Sequence, residues 1–285
     1  MHFRNTGKTL GDIINQNAAP EVNNWIKEKL DKIISANSAK DLYLSYSLLS
    51  GKADSGKAVN YADLTGEVSS YLIGQQANLL EISRIYFLVK VLEAQPEYFV
   101  PKVANLIQLA DTKELETFLK FLILLPNAGE FKNVAVEALR TNIATVFDAI
   151  ALNNPYPSEF FNDQQWNQMY LKAAFMQRNL NEIIDVERRA NKDLTRIISD
   201  YAHERWAASR DIDPLFWRPV SNFIAGALLE DMKRLLDSAN PEEANAAALC
   251  CFYSDKTEAN KLLDKYAVLK AAVKSKSISW TNLKA

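Results

Sequence analysis

Apolar residues in this chain recur at intervals of three and four, and nowhere does an apolar–polar alternation persist. Ile82, Ile85, Tyr86, Val89 and Leu92 follow that spacing, as do Leu139, Ile143, Val146 and Ile150. One buried stripe on a helix needs this period, whereas a strand with one wet face needs period two. Only 8 glycines and 9 prolines interrupt 285 residues, too few for the tight turns of a sheet-rich fold. The chain therefore reads as all-α, with about a dozen helices joined by short connections.

Helix starts are written in side chains that accept the first free amides. Ser38 precedes Asp41 by three residues, and that segment closes at Gly51, where a left-handed terminator is expected. Asp111 with Glu114 forms a capping-box pattern opening a helix to Leu125, which Pro126 stops. Asp213-Pro214 and Asn240-Pro241 each place a capping residue before proline at the first helical position. Helix pairs fall roughly every 35 to 45 residues without a shared signature, which suggests an irregular, HEAT-like α-solenoid of antiparallel pairs. The expected organisation is a helical region over 1–152, a second over 153–273 packed continuously with it, and a loosely held tail over 274–285. Residues 52–60 read as an exposed loop and 153–162 as an ordered turn.

The formal charge is −2 and lysine and arginine are scattered, so no basic stripe points to a nucleic-acid partner. Cys250 and Cys251 are adjacent, cannot form a disulfide framework, and read as reduced thiols. The N-terminus lacks the apolar core of a secretory signal. The most apolar run, 118–125, is interrupted by Lys120 and falls far below the roughly 20 residues that span a bilayer. A cytoplasmic protein without an integral membrane segment is expected.

Familiar reaction motifs are missing. Gly7-Lys8-Thr9 lacks the earlier glycine and the strand of a phosphate-binding loop. The two histidines are His2 and His203; His203-Glu204 would open a zinc-protease motif, but Ala207 stands where its second histidine belongs. No pair of cysteines has metal-ligand spacing, and no nucleophile elbow or dinucleotide fingerprint occurs. No catalytic residue, metal or cofactor is assigned.

Two helices carry polar residues in unexpected places. Over 163–178, Trp166, Met169, Tyr170, Leu171, Phe175 and Met176 cover nearly the whole circumference, as in a helix buried on most sides. Asn167, Gln168 and Lys172 then need partners or line a wet cavity. Over 191–209, Arg205 falls near the centre of a stripe made by Leu194, Ile197, Ile198 and Tyr201, where a carboxylate should pair it. It is either a strut between helices or an anion-binding group. His203 falls on the opposite face, with no partner fixed by spacing. Arg188-Arg189 is either a solvated pair or a phosphate or carboxylate site.

Several strings resemble the EboA family of bacterial proteins. They are Arg140-Thr141-Asn142, the run from Val146 through Asn153-Asn154-Pro155-Tyr156-Pro157, and Trp166-Asn167-Gln168-Met169. Glu187-Arg188-Arg189-Ala190-Asn191 and Asp200-Tyr201-Ala202-His203-Glu204-Arg205-Trp206-Ala207-Ala208 complete the set. The resemblance implies a place in a bacterial gene cluster linked to secondary-metabolite production or to precursor export, and it carries over no catalytic residue. Where the family's pattern is expected to have glycine after Trp-Ala-Ala, this chain has Ser209, so that helix end is expected to differ in shape.

Two functional readings follow. In the favoured one the chain is a non-catalytic accessory protein that binds cluster proteins, a small metabolite, or both. In the alternative it is an enzyme or carrier acting on a small metabolite, such as a prenylated or phosphorylated one, in an internal polar pocket. The residues proposed to line that pocket are Asp148, Asn154, Tyr156, Asn167, Lys172, Arg189, His203 and Arg205.

Overall fold

The computed structural model describes residues 3–61 and 65–283. Among them the secondary structure is entirely helical, at 70% helix with no strand. The chain divides into two compact units, Met1–Phe160 and Phe161–Ala285. His2 and the last two residues of the tail lie outside the described residues.

The first unit contains α1 (Thr6–Asn17), α2 (Pro20–Ala36), α3 (Ala39–Leu48), α4 (Glu67–Gly74), α5 (Leu79–Ala94) and α6 (Pro96–Ala104). It continues through α7 (Leu106–Leu109), α8 (Thr112–Lys120), α9 (Lys132–Ala138), α10 (Ala144–Ala151) and α11 (Tyr156–Phe160). Its centre is α5, which packs against α1, α2, α3, α6 and α8. The reason lies in its composition. Beyond the expected stripe of Ile82, Ile85, Val89 and Leu92, α5 also buries Phe87, Leu88 and Val91 on its other sides. Each such side chain contributes about 1.5–3 kcal/mol by leaving water. A capping box fixes where α5 begins: Asn78 accepts from the Glu81 amide and Glu81 from the Asn78 amide, each at 3.0 Å.

Local signals placed most starts correctly. Ser38 accepts the Asp41 amide at 3.1 Å, and Asp111 and Glu114 close a capping box on α8. That helix ends at Lys120, short of the expected Leu125, and continues as the 3₁₀ turn Leu122–Leu124. Gly51 ends a 3₁₀ turn without a left-handed φ, so the expected glycine terminator is not there. The Leu139–Ile150 spacing spans two helices, α9 and α10, because Thr141 turns back to accept the Ile143 amide at 3.0 Å. Gly7 has a packing role: a Cβ there would run into the Glu93 carboxylate of α5. The exposed loop over 52–60 is tied down where Asn17 bonds both the amide and the carbonyl of Asn60.

The second unit contains α12 (Asp163–Phe175), α13 (Lys192–Ala207), α14 (Ala227–Leu236), α15 (Pro241–Phe252), α16 (Thr257–Leu263) and α17 (Ala267–Lys274). The 3₁₀ segment Pro214–Phe223 joins α13 to α14, and Asp213 caps it through the Leu215 amide at 2.9 Å. Here α15 is central, packed against α14, the 3₁₀ segment, α16 and α17. Small buried residues on α15, among them Ala246, Ala247, Ala248, Cys250 and Cys251, allow neighbours to approach from several sides. Within the tail, Leu283 is buried, and the Trp280 carbonyl accepts from Asn181 at 2.7 Å. No described helix is long and apolar enough to cross a membrane.

Candidate ligand-binding site

In the first unit, Asn154 and Tyr156 are occupied by the fold. Asn154 donates to the Leu119 and Ala149 carbonyls at 3.1 and 2.9 Å and accepts the Tyr156 amide at 2.9 Å. The Tyr156 hydroxyl donates to the Ala128 carbonyl at 2.7 Å, and burial pushes its phenol well above its ordinary range. Asp148 is half-buried on α10. These contacts make the turn over 153–162 ordered, with Asn153 in a left-handed conformation that asparagine tolerates.

In the second unit, two of the quoted strings meet where α12 and α13 begin. Asn167 and Asn191 exchange amide hydrogen bonds at 3.1 and 2.8 Å, while the Asn191 oxygen caps α13 by accepting the Leu194 amide at 2.9 Å. Arg189 lies 4.9 Å over the Trp166 ring and donates to the Phe161 carbonyl at 2.9 Å. Asn167 and Arg189 therefore brace the two helix starts. Gln168 is exposed.

The other end of α13 is more open. The Arg205 guanidinium does not meet the expected carboxylate; it donates to the Asp211 carbonyl at 2.9 Å and lies 5.9 Å from the Tyr201 ring. The chain folds back after α13 and supplies its own acceptor, which a helical projection cannot show. His203 does find a carboxylate. Its Nε2 is 2.6 Å from Asp231 of α14, which also accepts from the Ser199 hydroxyl at 2.6 Å. Asp231 is 3% exposed, while half of the His203 side chain faces solvent. A signal for Asp231 existed: it shares the buried stripe of α14 with Leu228, Met232 and Leu235.

Three clefts adjoin around this end of α13. The largest, about 1140 Å³, is bounded by Phe175, Arg178, Tyr201, Arg205, Arg210, Asp211 and Asp213. Burial raises the Asp213 carboxyl, against the opposing pull of the Leu215 amide. An apolar groove of about 430 Å³ shares Phe175, Tyr201 and Phe216 with it and adds Leu171, Ile197 and Lys172. Desolvation lowers the Lys172 ammonium from its ordinary value. Trp166, Met169 and Tyr170 are buried, as a helix covered on most sides requires, but Phe175 is 79% exposed beside this groove. On the other side, a cleft of about 460 Å³ shares Ser209, Arg210 and Asp211 and adds Trp206, Arg234 and Glu243. There Arg234 lies 4.1 Å over Trp206, which stacks on the buried Trp217 at 5.7 Å.

Of the eight residues singled out from the sequence, Lys172 and Arg205 line these clefts, and His203 lies beside them with its ring 5.6 Å from Trp206. Among the described residues, no group of three or more histidine, cysteine or acidic side chains is placed to hold a metal. Comparison with curated proteins and with solved structures found no match. A family model described as metabolite traffic protein EboA matches residues 6–221, from α1 through most of the 3₁₀ segment after α13. With most of its length matched, the chain belongs to the EboA family.

Proposed function

We propose that this chain is a non-catalytic accessory protein of a bacterial metabolite biosynthesis or precursor-export cluster, and that it holds a small metabolite in the clefts around the end of α13. The observation that carries the reading is the cleft of about 1140 Å³, where aromatic walls from Phe175, Tyr201 and Phe216 stand beside Arg205 and Arg210. Small-molecule sites gain affinity from aromatic surface and specificity from placed polar groups, and here many polar side chains line the cleft beside its aromatic walls. The family description, metabolite traffic, supports the same reading. A cytoplasmic site of action, partners encoded in the same cluster, and a tandem stacking of helix pairs belong to this proposal.

Recovery of the bound molecule tests it. The protein is purified from a native host, denatured, and the released small molecules are identified by mass spectrometry. A compound is expected to leave with the wild-type chain and to fall at least about tenfold with a Tyr201→Ala/Arg205→Gln variant that keeps its unfolding midpoint. Should nothing be released, and pull-down recover no cluster protein, the proposal fails.

One observation favours the enzyme reading. A buried carboxylate holding an imidazole, as Asp231 holds His203, is the arrangement used to orient a general base. If His203→Ala abolishes cluster-dependent metabolite output while leaving the bound compound in place, catalysis is the better account.

A further inference from the structure

Arginines in the second unit are mostly neutralised. Arg188 pairs with Asp185, Arg189 with Asp163, Arg196 with Asp200, and Arg218 with Glu187, while Arg205 is taken by a carbonyl. Arg210 and Arg234 differ. Both line the cleft beside Trp206, and among the described residues neither forms an ion pair. Two carboxylates, Asp211 and Glu243, share that cleft without forming an ion pair with them among the described residues, and Glu243 accepts from the Ser238 hydroxyl. The Arg234 guanidinium sits 4.1 Å over the Trp206 ring, a cation–π contact that uses none of its N–H donors and leaves them for an oxyanion.

At the opposite end lies the groove made by Leu171, Phe175, Ile197, Tyr201 and Phe216. A phenylalanine 79% exposed beside four further apolar side chains is a surface that water solvates poorly. The middle cleft joins the two ends, since it shares Phe175 with the groove and Arg210 with the cationic cleft.

Resting on the binding reading above, we propose that the ligand is an amphipathic anion. Its apolar chain lies in the Phe175 groove and its phosphate or carboxylate head meets Arg210 and Arg234. Volumes of about 430, 1140 and 460 Å³ suit a small molecule of this kind, which makes a folded protein partner the poorer fit.

Calorimetry on the full chain at low salt separates the contributions, using octyl phosphate, octyl glucoside and inorganic phosphate, all below micelle formation. Octyl phosphate is expected to bind at least about tenfold more tightly than either of the others. Arg210→Gln/Arg234→Gln should reduce it to the level of octyl glucoside, and Phe175→Ser should weaken both alkyl compounds together. Both sets of changes lie at exposed positions, and an unchanged urea midpoint confirms that each variant is folded. Equal binding of octyl glucoside, or indifference of octyl phosphate to the double arginine variant, overturns the proposal. So does co-sedimentation with anionic phosphatidylglycerol vesicles without binding of monomeric octyl phosphate, since that identifies a membrane surface as the ligand. If a compound is still recovered from the native protein while octyl phosphate is ignored, the ligand class is wrong and the binding reading stands. If neither occurs, both fall.

Discussion

Ser209 follows α13 with φ of +52°, and the chain then closes as a glycine-terminated helix would. The Arg210 amide reaches the Arg205 carbonyl at 2.9 Å and the Ser209 amide reaches the Trp206 carbonyl at 3.0 Å, the paired bonds of a Schellman motif. The departure from the expected glycine therefore leaves the shape of this end unchanged and strains one residue. Elsewhere the left-handed positions fall to Asn5, Asn37, Asn127 and Asn153, with Gln76, Gln177, Asp185 and Lys276; the only glycines at positive φ are Gly66 and Gly226 among the described residues. Scarcity of glycine thus ruled out a sheet-rich fold correctly but said little about the number of turns. Ser209→Gly is expected to stabilise the protein by about 0.5–1 kcal/mol, seen as a higher urea midpoint at unchanged slope. A midpoint that stays put or drops would show that no strain is stored there.

Among the elements, α3, α5 and α8 are joined by a buried charge pair that the apolar pattern concealed. Arg84 and Glu114, 3% and 5% exposed, approach to 3.5 Å. Arg84 also donates to the Tyr46 carbonyl at 3.4 Å, and the Tyr46 hydroxyl donates to the Glu114 carbonyl at 2.9 Å. Glu114 has a second task, since its other oxygen accepts the Asp111 amide of the capping box. Arg84→Met is expected to cost about 3–5 kcal/mol, mostly because it leaves a carboxylate buried without its cation. Adding Glu114→Gln should recover at least about 1 kcal/mol of that loss, as a double-mutant cycle in urea would reveal. A single variant within about 0.5 kcal/mol of wild type would mean that solvent reaches the pair. The capping box was legible because it is written within four residues. The salt bridge was not, because its partners are 30 residues apart and meet only through packing.

For the molecule as a whole, the two thiols report on the core of the second unit. Burial raises Cys250 well above its ordinary value and pushes Cys251 up to about 12. Ellman's reagent at pH 8 is expected to leave both unmodified in the native protein and to titrate both in denaturant. Native labelling at the unfolded rate would contradict this burial. Because the folded values lie above the unfolded ones, the thiols' contribution to stability is intact below about pH 9 and is lost as pH rises towards about 12. Unfolding midpoints should therefore fall over that range, and less steeply in a Cys250→Ala/Cys251→Ala variant.

Helix starts and the all-helical class were fixed by the sequence alone, because caps, breakers and hydrophobic period act over a few residues. Ser38, Asp111, Asp213 and Asn240 each cap the element they announced. What only tertiary structure decided was which polar residues are occupied by the fold and which face a cleft. Asn154, Asn167, Arg189, Lys172 and Arg205 looked equally available; the first three are spent on contacts away from these clefts, whereas Lys172 lines the apolar groove and Arg205, although it donates to the Asp211 carbonyl, lines the large cleft. Asp231 became the partner of His203 through the packing of α14, and Phe175 became a surface residue beside the groove it shares with Tyr201 and Phe216. Such pairings join residues distant along the chain, and a periodic pattern carries no information about which distant segment will arrive.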